Sequence, residues 1–189
     1  GRLSDEQWRE FERCLACGLG ACNTMGTAST MAILTEALGM ALPGTAVIPT
    51  GDPARDEAAY RSGTRIVEMV AEDQRPSHIL TDSALRNAVK VLHAVGGSSN
   101  AVLHVLAIAG RLASSLYLDD IDQLGRDIPV LADVEPSGAG LIQDFHQAGG
   151  VPAIMRLLVE HFETDALTVT GRSWAEELPT EVAASGVLR

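Results

Sequence analysis

The sequence predicts an α/β fold in which helices predominate. Most of the chain carries apolar residues at helical spacing, and glycine or proline interrupts each such segment. Two short apolar runs, residues 128–133 and 168–170, instead have the length of buried strands. With 189 residues the chain can bury a sizeable core, and it fits one domain or part of a larger one.

The helices follow one another with identifiable starts and stops. Asn23 or Thr24 is expected to cap an almost wholly apolar helix that ends at Gly39, and Thr81 or Asp82 is expected to cap a later one. The spacing of Ser173 and Glu176 is that of a capping box. The predicted helices cover residues 4–13, 24–38, 53–71, 82–95, 101–112, 119–124, a short segment around 144–146, 152–161 with Pro152 in first position, and a last helix after Ser173. The helix at 101–112 is so apolar that it must be buried in the core or beneath a partner.

Charge and hydropathy exclude some classes of partner. The formal net charge is −11, which argues against nucleic acid or an anionic membrane surface, because phosphate contacts need clustered Lys and Arg. No stretch reaches the roughly 18 uninterrupted apolar residues of a membrane span, and the first residues lack the layout of a secretory signal. We therefore expect a cytoplasmic chain whose cysteines are reduced.

Three cysteines, Cys14, Cys17 and Cys22, lie within nine residues, and the chain has no others. Cys22 immediately precedes the expected start of a helix, whose positive end favours the thiolate that binds soft metals. The spacing resembles a partial iron–sulfur or zinc site, which normally needs four ligands. The alternative is that all three are buried, unreactive cysteines.

A second candidate site follows Gly96 and Gly97. Ser98, Ser99 and Asn100 open an apolar helix, and free backbone N–H groups there can hold a carboxylate or phosphate. The alternative is a well-capped corner between two helices.

Other polar residues have weaker patterns. Asp119, Asp120 and Asp122 suggest either a hard-cation site or, more often, a solvated helix start. His104 lies within an apolar helix, where a hydrogen-bonded core histidine is commoner than a catalytic one.

Collinear segments resemble the dihydroxy-acid dehydratase and phosphogluconate dehydratase family. They are GACNTMGTASTM (20–31), EALGM (36–40), LPG (42–44), GGSSNAVLH (96–104), DDID (119–122), IPVLAD (128–133), PSG (136–138), DFHQAGGV (144–151) and TVTG (168–171). Within the family, the residues at 23–29 look more like those of sugar-acid (pentonate or aldonate) dehydratases than those of the branched-chain amino-acid enzyme.

The resemblance implies a place in a longer enzyme. Residues 1–178 would be a segment of the N-terminal α/β domain, with short parallel strands among helices, and 179–189 a frayed tail. Cys22 would be one ligand of an iron–sulfur cluster, of the 2Fe-2S type, while Cys14 and Cys17 would be ordinary residues. The other cluster cysteines, the Mg²⁺ ligands and the catalytic base would lie outside this chain, and His146 would lie near the active site.

The family removes water from a 2,3-dihydroxy carboxylic acid to give a 2-oxo acid, so the resemblance implies a small hydroxy acid as substrate and a homo-oligomeric full-length protein. Two other hypotheses stay open from the residues. One is a self-contained metal or iron–sulfur module that uses all three cysteines. The other is a helical interaction domain without chemistry.

Overall fold

The computed structural model describes residues 3–14 and 22–189, without the side chains of residues 13 and 14. Helices dominate these residues. They are α1 (Asp5–Cys14), α2 (Thr27–Ala37), α3 (Ala54–Ala71), α4 (Pro76–Ile79), α5 (Asp82–Ala94), α6 (Asn100–Arg111), α7 (Leu118–Gly125), α8 (Ile142–Gln147), α9 (Gly150–Leu157), a 3₁₀ turn (Val159–His161) and α10 (Trp174–Glu177).

Several predicted helix boundaries are confirmed at the level of single hydrogen bonds. The Thr81 hydroxyl accepts a bond from the Ala84 N–H at 3.3 Å, and this caps α5. At α10 the Ser173 N–H donates to the Glu176 carboxylate at 3.0 Å, as a capping box requires. Gly39 follows α2 with φ +79°, a backbone conformation that favours glycine.

The two predicted strands are not observed in the described part of the chain. The segments around 128–133 and 168–170 take part only in isolated bridges, of Ala132 with Leu188 and of Leu167 with Ser173. The N–H groups of Leu131 and Ala132 both donate to the carbonyl of Ala94 at the end of α5, at 2.8 and 3.2 Å. This apolar run therefore finds its hydrogen-bond acceptor at the C-terminal end of α5, and it does not need to pair with a neighbouring strand.

The start of α2 also differs from the prediction, since this helix begins at Thr27 with Gly26 as its N-cap. Asn23 and Met25 stay outside because their backbone groups bond to distant segments. The Asn23 carbonyl accepts from the Ile142 N–H at 2.9 Å, and the Met25 N–H donates to the Glu135 carbonyl at 2.6 Å.

The start of α9 was predicted two residues too late. It begins at Gly150, after Gly149 at φ +100°, so Pro152 is its third residue and not its first. The helix ends at Leu157, and a 3₁₀ turn covers the remainder of the predicted range.

The core is organised around the pair α2 and α5, against which α6, α7 and α9 pack. Apolar side chains from all of these helices are fully buried, together with Trp174 of α10. Burying such a continuous apolar surface is the main stabilising contribution to a domain of this size. The two helices also place the loops before α2 and after Gly39 next to each other, and these loops form the candidate site.

Two helices expose apolar surface. Of the 18 residues of α3 only Met69 is buried, and Tyr60, Val67 and Val70 are each at least 70% exposed. In α6, Leu103 is 70% exposed although the helix is apolar. None of the helices within residues 3–14 and 22–189 is both long and apolar enough to cross a membrane.

Candidate functional site

Cys22 lies in extended backbone just before the bend that leads into α2, and its side chain is half-buried. The sulfur lies 3.2 Å from the hydroxyl oxygen of Thr24. Hydrogen bonds from this hydroxyl and from the Thr24 N–H lower the pKa of the Cys22 thiol more than burial raises it. The Ser29 hydroxyl and the Gly26 N–H lower this pKa further, by smaller amounts. The loop therefore favours the thiolate, the form that binds metals.

Cys22 lines a pocket of about 130 Å³. The lining combines the Cys22 loop, one side of α2, the segment 46–50, the first turn of α3 and the first turn of α8. The lining residues are Cys22, Asn23, Ala28, Ser29, Ala32, Ala46, Val47, Ile48, Pro49, Thr50, Arg55, Ile142 and Gln143. Hydroxyl and amide groups alternate with apolar surface, which suits a small polar ligand.

Among the described residues that line the pocket, Arg55 alone has a permanent charge. It lies in the first turn of α3, and its Nη1 donates to the carbonyl of Ile48 at 2.9 Å. This bond ties α3 to the segment 46–50 at the edge of the pocket.

The segment 46–50 is also held from the core side, by Glu36. This carboxylate is 1% exposed and accepts bonds from the N–H groups of Gly44 and Ala46, both at 2.7 Å. Burial raises the pKa of Glu36 to about 7, although the backbone N–H groups of Gly44, Ala46 and Thr45 oppose this shift. Glu36 thus places one wall of the Cys22 pocket without lining it.

The candidate residues Ser98, Ser99 and Asn100 lie at the start of α6, beside the other side of α2. The Ser98 hydroxyl lies 3.1 Å from the Thr27 hydroxyl, to which the Asn100 amide donates at 2.9 Å. The Ser98 N–H donates to the Thr30 hydroxyl at 3.0 Å. These groups are therefore bonded within the chain and do not line the Cys22 pocket, so their role in substrate binding stays a prediction.

The candidate histidines are not brought to the pocket. His146 is half-buried on α8, the helix whose residues Ile142 and Gln143 line the pocket, but His146 is not itself a lining residue. His104 is exposed on α6, contrary to its expected place in the core. Exposure follows because α6 buries only one narrow side, formed by Ala101, Val105 and Ala109.

The acidic residues at the start of α7 form a helix start and a surface ion pair. The Asp120 carboxylate accepts from the Tyr117 N–H at 2.7 Å, and Asp122 pairs with Arg126 at 2.6 Å. No group of three or more His, Cys, Asp or Glu residues is arranged to hold a metal within the part of the chain that the structure describes.

The predictions for Cys14 and Cys17 lie outside the described residues, since nothing is described of the Cys14 side chain or of residue 17. Within the described part, Cys22 alone offers a thiolate to the pocket. The residues present fit one ligand of a metal group, and its remaining ligands must come from elsewhere.

Sequence reasoning missed Glu36 and Arg55 as parts of the site. Glu36 gave a usable signal, because a carboxylate inside an otherwise apolar helix is seldom buried without partners. Arg55 gave none, because its sequence neighbours are charged and exposed, as on any solvated helix face.

The fold and the pocket define a helical domain in which a cysteine with a lowered thiol pKa and an arginine line one small cavity of mixed polar and apolar surface. The family described as "Dihydroxy-acid/6-phosphogluconate dehydratase N-terminal" matches residues 1–177. The chain belongs to this family, as its motifs predicted.

Curated relatives agree with this assignment. The chain is 46% identical over 180 residues to a dihydroxy-acid dehydratase of Renibacterium salmoninarum, covering 94% of this chain and 31% of the relative. It is 42% identical over 174 residues to a 6-deoxy-6-sulfo-D-gluconate dehydratase of Pseudomonas putida, covering 92% and 30%. A dihydroxy-acid dehydratase of Methanobrevibacter smithii is 39% identical over 179 residues, covering 94% and 33%. The chain thus spans about a third of the length of these relatives.

Proposed function

We propose that the intact protein is an iron–sulfur hydro-lyase that dehydrates a 2,3-dihydroxy carboxylic acid to a 2-oxo acid. This chain contributes one cluster ligand, Cys22, and part of the pocket wall. The observation that carries the proposal is the family match over residues 1–177, together with a cysteine that lines a pocket.

The chemistry of the Cys22 loop supports a role in holding iron. A thiolate ligand must be deprotonated, and hydrogen bonds from Thr24 and Ser29 favour that form. Because one thiolate is not enough for a 2Fe-2S cluster, the remaining ligands are proposed to lie outside the described residues. When bound, the cluster supplies a Lewis-acidic iron that helps a hydroxyl group leave C3 of the substrate.

The other lining groups suit a hydroxy acid. The amides of Asn23 and Gln143 and the hydroxyl of Thr50 can donate to or accept from substrate hydroxyls, while Ala32 and Val47 restrict the space. Glu36 and Arg55 fix the segment 46–50, so that Val47 and Thr50 are pre-positioned.

The proposal extends to features that lie outside the Cys22 pocket. Mg²⁺ is proposed to bind outside this segment, where it would hold the substrate carboxylate and stabilise the enolate. His146 and the segment Ser98–Asn100 are proposed to approach the substrate only in the complete domain. We also propose a homo-oligomeric, cytoplasmic protein whose N-terminal domain contains short parallel strands as well as these helices.

The substrate is proposed to be a sugar acid, on the residues at 23–29, with 2,3-dihydroxy-isovalerate as the competing choice. Names of relatives support the broader class of dehydratase and include both kinds of substrate. Assaying the intact protein on pentonates beside 2,3-dihydroxy-isovalerate separates the two. A higher kcat/KM on 2,3-dihydroxy-isovalerate would overturn the sugar-acid proposal alone.

The cluster proposal is tested by replacing each cysteine in the intact protein. We expect Cys22→Ser to lose cluster iron and visible absorption, while Cys14→Ser and Cys17→Ser keep most of both. Retention of the cluster in Cys22→Ser would refute the role of Cys22. Equal loss in all three variants would instead support a self-contained cysteine module, which the family match does not favour.

A further inference from the structure

We propose that Arg55 makes the Cys22 pocket selective for anionic ligands, by offering its guanidinium to a ligand carboxylate. The inference rests on the proposed function in taking that ligand to be a hydroxy acid. It concerns a residue on α3 that neither the family motifs nor the spacing of the cysteines indicated.

The position of Arg55 is not explained by the stability of its helix. Arg55 is the second residue of α3, and a cation in the first turn interacts unfavourably with the positive end of the helix. The neighbouring acidic residues Asp56 and Glu57 suit that end instead. The helix dipole therefore does not explain the position of Arg55, whereas the pocket that Arg55 lines does.

The guanidinium keeps most of its donors free. Among the residues that the structure describes, only Nη1 has a partner, the carbonyl of Ile48, and no described carboxylate forms an ion pair with Arg55. The Ile48 bond orients the side chain while the remaining N–H groups can meet a carboxylate through two parallel bonds. Arg65 shows the contrast, because Glu68 and Glu72 on its own helix already bind it.

Net charge makes a local cation necessary for this ligand class. The chain carries −11, so its overall field repels a small anion. The described lining of the pocket has one permanent charge, and it is positive. Thr50 and Gln143 in the same lining can bind the hydroxyl groups that accompany the carboxylate in a hydroxy acid.

Alkylation of Cys22 by two reagents of nearly equal size tests the proposal without cluster or turnover. Iodoacetate is anionic and iodoacetamide is neutral, and both attack the thiolate. The ratio of their rates therefore cancels the thiolate fraction and reports the local potential at the sulfur. The intact protein, prepared without iron, is labelled at low salt, and peptide fragmentation quantifies alkylation at Cys22.

We expect Arg55→Gln to lower the iodoacetate-to-iodoacetamide ratio by about three- to fivefold, which is the effect of a unit charge about 4–6 Å from the reagent's carboxylate at the dielectric constant of water. Arg55→Lys should keep most of the ratio, and about 1 M salt should remove the difference between the proteins. The matched control is Arg61→Gln, an exposed arginine on the same helix that does not line the pocket. It should leave the ratio unchanged.

An unchanged ratio in Arg55→Gln, or an equal fall in Arg61→Gln, would overturn the inference. Neither result would touch the proposed hydro-lyase function, which depends on cluster loss in Cys22→Ser. Conversely, a Cys22→Ser variant that keeps its cluster would refute the role of Cys22 as a cluster ligand, yet the alkylation ratio in the wild type and the Arg55 variants would still measure the charge of Arg55.

Discussion

Replacing Glu36 by Gln removes a buried charge that holds the wall of the Cys22 pocket. The folded chain raises the pKa of Glu36 to about 7, because burial penalises the carboxylate more than two N–H bonds favour it. An unfolded chain gives up this proton near 4.5, the ordinary value. Between the two values the folded state binds more protons than the unfolded state, so the free energy of unfolding must fall as pH rises.

The size of this effect follows from the shift. A difference of about 2.5 pKa units is worth about 3 kcal/mol at roughly 1.4 kcal/mol per unit. Stability from the neutral acid is fully present below about pH 4.5 and is lost as pH rises through about 7. Glu36→Gln is neutral at every pH and should lack this dependence.

Urea unfolding of both proteins from pH 4.5 to 8.5 measures the effect. The difference in free energy of unfolding between wild type and Glu36→Gln should change by about 3 kcal/mol across this range, in the direction that favours the wild type at low pH. Glu160→Gln, at an exposed position, serves as the control and should show a flat difference. A flat difference for Glu36→Gln as well would refute a buried carboxyl with a raised pKa, and with it the account of how this wall is held.

Two glycines, the buried Asn87 amide and the ion-paired carboxylate of Glu163 give further predictions. Gly39→Ala should destabilise the fold by about 2 kcal/mol or more, because a Cβ at φ +79° would lie 2.4 Å from the Leu167 carbonyl oxygen. Gly63 lies in open space within α3, so Gly63→Ala should stabilise this helix by about 0.5–1 kcal/mol, and equal shifts in urea midpoint for the two variants would contradict this. Asn87→Ala should cost about 2–4 kcal/mol, because the buried Asn87 amide bonds both the N–H and the carbonyl of Glu163 at 2.9 Å. Glu163→Gln keeps those backbone bonds and loses two partly exposed ion pairs, with Arg86 and Lys90, so about 1 kcal/mol is expected at pH 7. A larger loss than for Asn87→Ala would reverse the interpretation. The Arg86 guanidinium lowers the pKa of Glu163 to about 2, so the stabilisation from this ion pair is present above pH 4.5 and is lost as pH falls toward 2. If the free energies of unfolding of wild type and Glu163→Gln fall identically with pH in this range, the lowered pKa is refuted.

The two carboxylates are separable by pH because their shifts have opposite signs. Loss of stability from Glu163 occurs below pH 4.5, while that from Glu36 occurs above it. Measurements on either side of this value therefore assign each change to one residue.

Much of the helical structure could be predicted because its signals are local. Thr81 caps α5 through a bond to a residue three positions away, and Gly39 ends α2 because its own φ is positive. The strand predictions were not confirmed, because an apolar run of six residues is equally compatible with an extended segment that closes a helix end. Leu131 and Ala132 do this at the carbonyl of Ala94, a partner that no local pattern identifies.

The candidate site was predictable in part. Cys22 was identified from its family motif and its place before a helix, and the structure does place it at a pocket with a lowered pKa. The expected cause was only partly right. Helix α2 starts at Thr27, five residues after Cys22, and the hydroxyl and N–H of Thr24 contribute most to the lowered pKa.

By itself the sequence determined the family, most of the helical segments and the candidate cysteine Cys22, because motifs, periodicity and caps depend on residues close together in the chain. Only the tertiary structure decided what surrounds that cysteine. Glu36, Ile48, Arg55 and Gln143 meet there because α2, α3 and α8 pack against the same loops. Contacts between segments so far apart depend on the packing of the whole core, and no local pattern encodes them.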